Sequence, residues 1–275
     1  MNGPLHQQQP TTRFSNRAAD YARYRPAYPP EAIDAIVEGL LARGHAPQRG
    51  EVAPGREPIA ADVGAGTGIS ARLLGDRGIN VYAIEPNDEM RGAAEPHDRI
   101  EWRAGTAEET GLGEDSVDLV LCAQSYHWFD PAAACREFGR ILKPGGRLAL
   151  MWNDGDETDA VARGYYDLVR AASDGVGPTS HQTVAKNPTL APPFDPARVH
   201  RLVFRNEQRL DLDGLIGRAM SASYVPKTGE KAERLVAGLR ELHARHAGAD
   251  GRVGLVYQVY VYLVDVGSSM GAGRP

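Results

Sequence analysis

An α/β fold, with a seven-stranded and mostly parallel sheet covered by helices on both faces, is what this 275-residue sequence predicts. From about residue 57, short apolar runs alternate with helical segments, the pattern of βαβ units. A glycine-rich turn, Gly64-Ala65-Gly66-Thr67-Gly68, separates the first apolar run from the first helix of that alternation. A carboxylate, Glu85, closes the second run.

The elements justify themselves in order. Pro29 and Pro30 lead into a helical pattern whose apolar face carries Ile33, Ile36, Val37, Leu40 and Leu41. Ile59 to Val63 reads as a strand and Ile69 to Leu74 opens a helix; Asn80 to Ile84 is the next strand, followed by a short helix over Asp88 to Ala94. Ile100 to Arg103 and Val117 to Ala123 are further strands, and Pro131 to Leu142 is a helix. Pro144-Gly145-Gly146 reads as a turn before a strand over Arg147 to Trp152. Beyond Asn153, a helix is expected over Ala160 to Ala172, a loop-rich stretch over 173–197, and a strand over Val199 to Leu210. Helices at Leu212 to Ser221 and Glu230 to His246 precede a last β-branched and aromatic strand, Val253 to Val266. Right-handed crossovers then gather the strand C-termini into one ligand-binding edge.

Composition narrows the classes. A net charge of -5 argues against broad binding to a nucleic-acid backbone. Cys122 and Cys135 are too few for a disulfide scaffold and read as buried thiols, and no His/Cys cluster has metal-ligand spacing. The first ten residues lack the apolar stretch of a signal peptide, and no run approaches the ~18 apolar residues of a membrane span. The expectation is a cytoplasmic protein with no membrane or nucleic-acid partner; its oligomeric state is not legible.

Glycines in the 64–68 loop let the backbone turn sharply and approach a ligand, and the helix N-terminus beyond favours an anion. Glu85, 21 residues after Gly64, stands where a carboxylate can accept both hydroxyls of an adenosine ribose. The pair points to a nucleoside-containing cofactor. A dinucleotide fingerprint needs a further glycine at position 69, where this chain has Ile69.

The segments ADVGAGTG (61–68), AIEPNDEM (83–90), AGTAEE (104–109), VDLVLCAQSYHWFD (117–130) and RILKPGGRLAL (140–150) occur in the order and spacing of one family. Through them the chain resembles the class I S-adenosylmethionine-dependent methyltransferases, which have a Rossmann-like fold. FSNRAADYARYRPAYP before this block, MWN after it, SASYV (221–225) and DGRVGLVYQVYVY (250–262) resemble the small-molecule, trans-aconitate methyltransferase-like subgroup.

The resemblance implies S-adenosylmethionine as cofactor, no metal, and a set of roles. Gly64, Ala65, Gly66 and Gly68 line the methionine end, and Asp62 holds the loop or contacts the amino group through water. Glu85 takes the ribose hydroxyls, and Pro86 and Asn87 border the adenine. Thr106 replaces the acid the family usually places at the adenine amino group, and Ala107 offers a backbone N–H. Ala123 and Gln124 face the methionine portion; Tyr21 and Arg25 cover the cofactor and pair its carboxylate. His127 is the candidate general base, with Tyr126 beside it, and Trp128, Trp152, Asn153 and Tyr224 are pocket candidates. The same resemblance divides the chain into a disordered tail (1–12), an N-terminal helical lid and linker (13–56), and a cofactor-binding core (57–152). Substrate-cap helices with the final strands (153–266) and a second tail (267–275) complete it. The competing readings are an NAD-type dinucleotide-dependent oxidoreductase, weakened by Ile69, and a non-catalytic S-adenosylmethionine-binding module. An RNA methyltransferase is disfavoured by the acidic charge balance.

Overall fold

The computed structural model describes residues 18–40, 56–173 and 198–265. The expected tails, residues 14–17 of the aromatic-basic stretch, most of the linker over 44–58 and the run 174–197 lie outside the described residues. Seven strands form one sheet: β1 (Ile59–Val63), β2 (Asn80–Ile84), β3 (Ile100–Arg103), β4 (Val117–Ala123), β5 (Leu142–Gly155), β6 (Val199–Leu210) and β7 (Val253–Asp265). Their order is β3-β2-β1-β4-β5-β7-β6. The pairs among β1 to β5 are parallel, and β7 runs antiparallel to both of its neighbours. The order reverses at β1, which lies between β2 and β4. Such a switch point leaves a crevice at the strand C-termini.

Eight helices accompany the sheet: α1 (Ala18–Tyr24), α2 (Pro30–Val37), α3 (Ile69–Gly75), α4 (Asp88–Gly92), α5 (Pro131–Ile141), α6 (Ala160–Ala172), α7 (Leu212–Met220) and α8 (Glu230–His246) among the described residues. Alternation along the strands feeds two cores. Ala61 and Val63 of β1 face one side, where Ala134, Cys135, Phe138 and Ile141 of α5 cover them. Ala60 faces the other, with Ile33 and Ile36 of α2 and Ala71 and Leu74 of α3. In β4, Val117 and Val120 share a face although three positions apart, because the pairing register with β5 shifts between Val117 and Leu119. A third cluster joins α6, α7 and α8 to the first half of β7, through Val169, Leu215, Leu239 and Leu255.

Local chemistry sets the helix starts. Asn87, Asp130, Asp159 and Asp211 each accept backbone N–H groups of the first turn of α4, α5, α6 and α7, and Pro131 occupies the first turn of α5. At the end of the sheet opposite the crevice, Asp118 accepts the Ile59 N–H at 2.9 Å and pairs with Arg56 at 2.5 Å and Lys143 at 3.2 Å. That anchor ties the starts of β1, β4 and β5 together.

Three boundaries differ from the sequence reading. α2 stops at Val37 rather than running to Leu41, because Arg147 Nη1 donates to the carbonyls of Ile36 and Glu38 and Gly39 takes a φ of 80°. The helix after β2 ends at Gly92, not Ala94. The turn at Pro144-Gly145-Gly146 is absorbed into β5, which begins at Leu142; the extra residues produce the register shift against β4, with Gly145 at φ 82°. β5 also continues past Trp152, since Asn153, Asp154 and Gly155 pair with Val259, Gln258 and Tyr257 of β7. No helix among the described residues is long and apolar enough to cross a membrane.

Candidate cofactor cleft

The crevice is a cleft of about 430 Å³, within the range of small-molecule sites. Its floor is the loop after β1. Gly64 and Ala65 donate their N–H groups to the Ile84 carbonyl at 2.9 and 3.1 Å, fastening the loop to the end of β2. Gly64, Gly66 and Gly68 have φ of 69°, 59° and 80°, which a side chain would strain. A Cβ on Gly66 would project toward the Met90 Cε at 3.3 Å and the Tyr21 ring at 3.9 Å, two other walls of the cleft. One on Gly68 would meet the Trp102 ring at 2.9 Å, so this glycine serves packing rather than lining.

Glu85 stands at the mouth of β2 with its carboxylate already oriented. Oε2 accepts the Gly66 N–H and Oε1 the Asn87 N–H, both at 2.9 Å. Burial raises its pKa, and these two bonds and Arg91 oppose the rise. A carboxylate has about four acceptor sites, so each oxygen keeps one for a ligand hydroxyl. Asp62, fully buried behind the loop, accepts the Ser70 hydroxyl at 2.7 Å while its Oδ1 has no hydrogen-bond partner. Burial pushes its carboxyl pKa up to about 7 against that bond and the Ala71 backbone N–H, and the charge of Glu85 adds to the rise.

The other walls come from three segments. Thr106 lines the cleft, and its hydroxyl oxygen accepts the Glu109 N–H at 3.2 Å, so its proton is left to donate. Ala107, Pro86, Ala65 and Ala123 also line it, and so does Gln124, which holds a left-handed φ of 58° while its amide donates to the Asn153 carbonyl at 3.1 Å. A strained non-glycine residue at the lip of a cleft marks a position that its surroundings over-determine. Trp128 lines the far side, and Tyr21 of α1 closes the top.

Several sequence candidates lie elsewhere. Tyr126 points into the core, its hydroxyl 3.6 Å from Cys135 Sγ, because successive side chains of the 3₁₀ turn Tyr126–Trp128 point a third of a turn apart. Trp152 is fully buried and donates its indole N–H to His127 Nδ1 at 3.3 Å. That bond turns the Nδ1 lone pair toward Trp152, the tautomer with the ring proton on Nε2, and His127 is not among the residues lining the cleft. Asn153 spends its side chain on the Ala27 carbonyl and on Asn206, tying the N-terminal segment to the sheet. Arg25 lies over the Tyr21 ring at 4.8 Å and donates to the Ser221 carbonyl at 3.4 Å, so its guanidinium is turned toward α7 rather than into the cleft. Tyr224 belongs to that same neighbourhood and not to the cleft lining.

Residues that the sequence did not single out also line the cleft: Tyr28, Met90, Glu108, Phe129 and Asp130. Glu108 Oε1 accepts the Asp130 N–H at 2.9 Å, stitching two walls together. All five fall inside motifs quoted above or within the N-terminal stretch; what was lacking was which way each side chain points. Among the described residues no group of three or more His, Cys, Asp and Glu could hold a metal ion.

A Rossmann-like sheet with a glycine loop, a strand-end carboxylate and a cleft at its switch point is an arrangement suited to a nucleoside-containing cofactor. The methyltransferase domain family matches residues 61–150, which run from β1 to β5. An uncharacterized methyltransferase of Mycobacterium tuberculosis is 34% identical over 246 residues, covering 88% of this chain and 90% of its own. An uncharacterized methyltransferase-like protein of Schizosaccharomyces pombe is 35% identical over 147 residues, 53% of each chain. Among solved structures, one assigned as a type II methyltransferase from Anaeromyxobacter dehalogenans shares the fold, with a TM-score of 0.62 at 24% identity over 88% of this chain and 98% of that one. The chain belongs to the methyltransferase family.

Proposed function

We propose that the protein transfers a methyl group from S-adenosylmethionine to a small-molecule acceptor at the β1–β4 cleft. The observation that carries this reading is the pre-oriented Glu85 carboxylate beside a glycine loop with no side chain to obstruct it. The residues present fit the cofactor. Glu85 has two acceptor sites for ribose hydroxyls, Pro86 and Ala107 flank the place of the adenine, and the Gly64–Gly66 backbone admits the methionine end. Thr106 offers its hydroxyl where the family's acid would stand.

When bound, the cofactor supplies a methyl group on a sulfonium, an electrophile that needs no further activation. What is left for the chain is positioning and the exclusion of water. Tyr21 and Tyr28 roof the cleft and Phe129 and Trp128 wall it, so the reacting space is largely apolar. Within the N-terminal segment α1 acts as a lid over the core of 57–152, and α6, α7 and α8 form a cap on the acceptor side. His127 holds Trp152 in place rather than moving a proton.

Calorimetric titration with S-adenosylmethionine and, separately, NADH tests the cofactor, and labelled-methyl transfer to a panel of small metabolites tests the reaction. Saturable binding of the first alone is expected. Binding of NADH instead would overturn the reading. Hydrogen exchange tests the lid: amides of α1 gain protection on cofactor addition if it closes, and show equal protection with and without ligand if it is permanently packed.

A further inference from the structure

Every residue lining the cofactor cleft falls between Tyr21 and Asp130, so none belongs to α6, α7 or α8. The helix α1 touches both places. Its Tyr21 closes the cleft, with the ring 3.9 Å from where a Gly66 side chain would begin. Its other side sits on α7. Tyr24 fills the hollow at Gly217, where a Cβ would stand 2.5 Å from the ring. A glycine inside a helix costs about 1 kcal/mol against alanine, and here the missing side chain makes room for Tyr24. Lys227, in the segment after α7, lies 3.7 Å from Asp20, and Arg25 Nη2 donates to the Ser221 carbonyl at 3.4 Å.

The helix α1 cannot hold itself. It has seven residues, too few for a helix that is stable alone in water, and of them Ala18 is the buried one. Its C-terminal end is pinned to the sheet. Gln208 of β6 donates to the Tyr24 carbonyl at 2.9 Å, and Asn153 and Asn206 donate to the Ala27 carbonyl at 3.2 and 2.8 Å. The polar contacts to the α7 side are looser. Asp20 and Lys227 stand farther apart than a hydrogen bond, and the Arg25 bond is long. Arg25 Nε is buried with no hydrogen-bond partner among the described residues. The junction can therefore tighten when Tyr21 gains a ligand to lie against.

Resting on the methyltransferase reading above, we propose that Tyr24 seated on Gly217 is a positioning joint that couples the cofactor cleft to the cap. Occupancy of the cleft draws α1 down, and α1 carries α7 with it. The acceptor side is then completed after the cofactor is in place, so the two ligands bind in order, cofactor first. By linkage, whatever tightens α7 raises cofactor affinity by the factor through which the cofactor tightens α7.

The full-length chain is followed with S-adenosylhomocysteine, which occupies the cleft without reacting, by calorimetry, melting temperature and amide hydrogen exchange. In the wild type, amides of α7 gain protection when it binds, although no α7 residue lines the cleft. Gly217→Ala removes the hollow under Tyr24. Affinity for S-adenosylhomocysteine falls about 10-fold and the α7 response disappears. Without ligand the same variant melts at or above the wild-type temperature, because alanine is the better helix former. Packing with no coupling role gives the opposite pair, a lower melting temperature with unchanged affinity. Asp20→Lys sets two like charges together and lowers affinity about 3-fold, and adding Lys227→Asp restores it. That pair is half-exposed, so its reversal tests the joint without depending on how Gly217→Ala folds. Binding that leaves α7 protection unchanged in the wild type, wild-type affinity in Gly217→Ala, or a charge-reversed pair that does not recover would each overturn the joint alone. No binding of S-adenosylhomocysteine by the wild type would overturn the methyltransferase reading and the joint together.

Discussion

Around the glycine loop the buried carboxylate of Glu85 is met by the chain's own backbone, from Gly66 and Asn87. Around α7 the buried guanidinium of Arg218 lies near tyrosines, and its Nε has no hydrogen-bond partner among the described residues. The first region is assembled in advance, so a ligand finds its partner atoms fixed and little ordering cost remains. The second leaves that buried polar atom, Arg218 Nε, unmet among the described residues. Such an atom costs stability.

If the loop region is preassembled around backbone contacts, the largest effect comes from obstructing it. Gly66→Val places a branched side chain against Met90 and Tyr21 at a left-handed φ, and cofactor affinity is expected to drop by more than about 1000-fold, with an unchanged far-ultraviolet circular dichroism spectrum. Normal binding would reduce the loop to a mere turn. Glu85→Ala comes next, at about 2–4 kcal/mol of cofactor affinity by calorimetry, since charge-assisted bonds are worth ~1.5–3 kcal/mol each and are not additive. Wild-type affinity in a folded Glu85→Ala protein would break the comparison at its better-supported end.

Asp62 sharpens the contrast, because this β1 carboxylate behind the loop is left partly unsatisfied. Its folded pKa is raised to about 7 from an ordinary 3.8, so the folded state binds the proton more tightly than the unfolded one. Stability therefore falls as pH rises from about 4 to about 7 and levels off above that window. Asp62→Asn should remove that slope, gaining on the order of 2–3 kcal/mol relative to wild type between the two ends in urea denaturation. Parallel pH curves for the two proteins would mean that Asp62 is not the group responsible. The smallest effect is expected at His127. His127→Gln should lower stability by about 1 kcal/mol through the lost Trp152 bond and leave the pH profile of kcat unchanged. A loss of roughly 10²–10⁴-fold in kcat, with an acid limb that disappears, would restore a base role.

Much of the loop region was legible in the sequence because it is local. The apolar runs of β1 and β2, the glycines and Glu85 fall within a few tens of residues, and strand-then-helix alternation fixes their relative placement. What spacing could not show is that Glu85 already accepts the Gly66 N–H. The pairing of His127 with Trp152 was hidden for a related reason: it depends on the β4–β5 register, which sets Ala123 beside Met151. The absorbed turn at Pro144-Gly145-Gly146 was hidden too, since a glycine with positive φ serves a bulge as readily as a turn. Around Arg218 the partners come from α6, α7, β7 and the segment after α7, and no periodicity joins them. The one signal available was an arginine three residues after Leu215, on the face of α7 that is otherwise apolar, where a solvated charge is the ordinary reading.

β7 sits antiparallel between β5 and β6, although both precede it in the chain. During synthesis, β5 therefore presents a bare edge until Val253–Asp265 has been made. At about 5–20 residues per second, the roughly 100 residues separating the two strands take some 5–20 s to appear. β6 cannot cover that edge in the meantime, because its place is one strand further out. The nascent protein thus passes through an interval in which a long, largely buried strand is open to pairing with other chains, and any agent that shields strand edges on the ribosome would raise its yield without touching the finished enzyme.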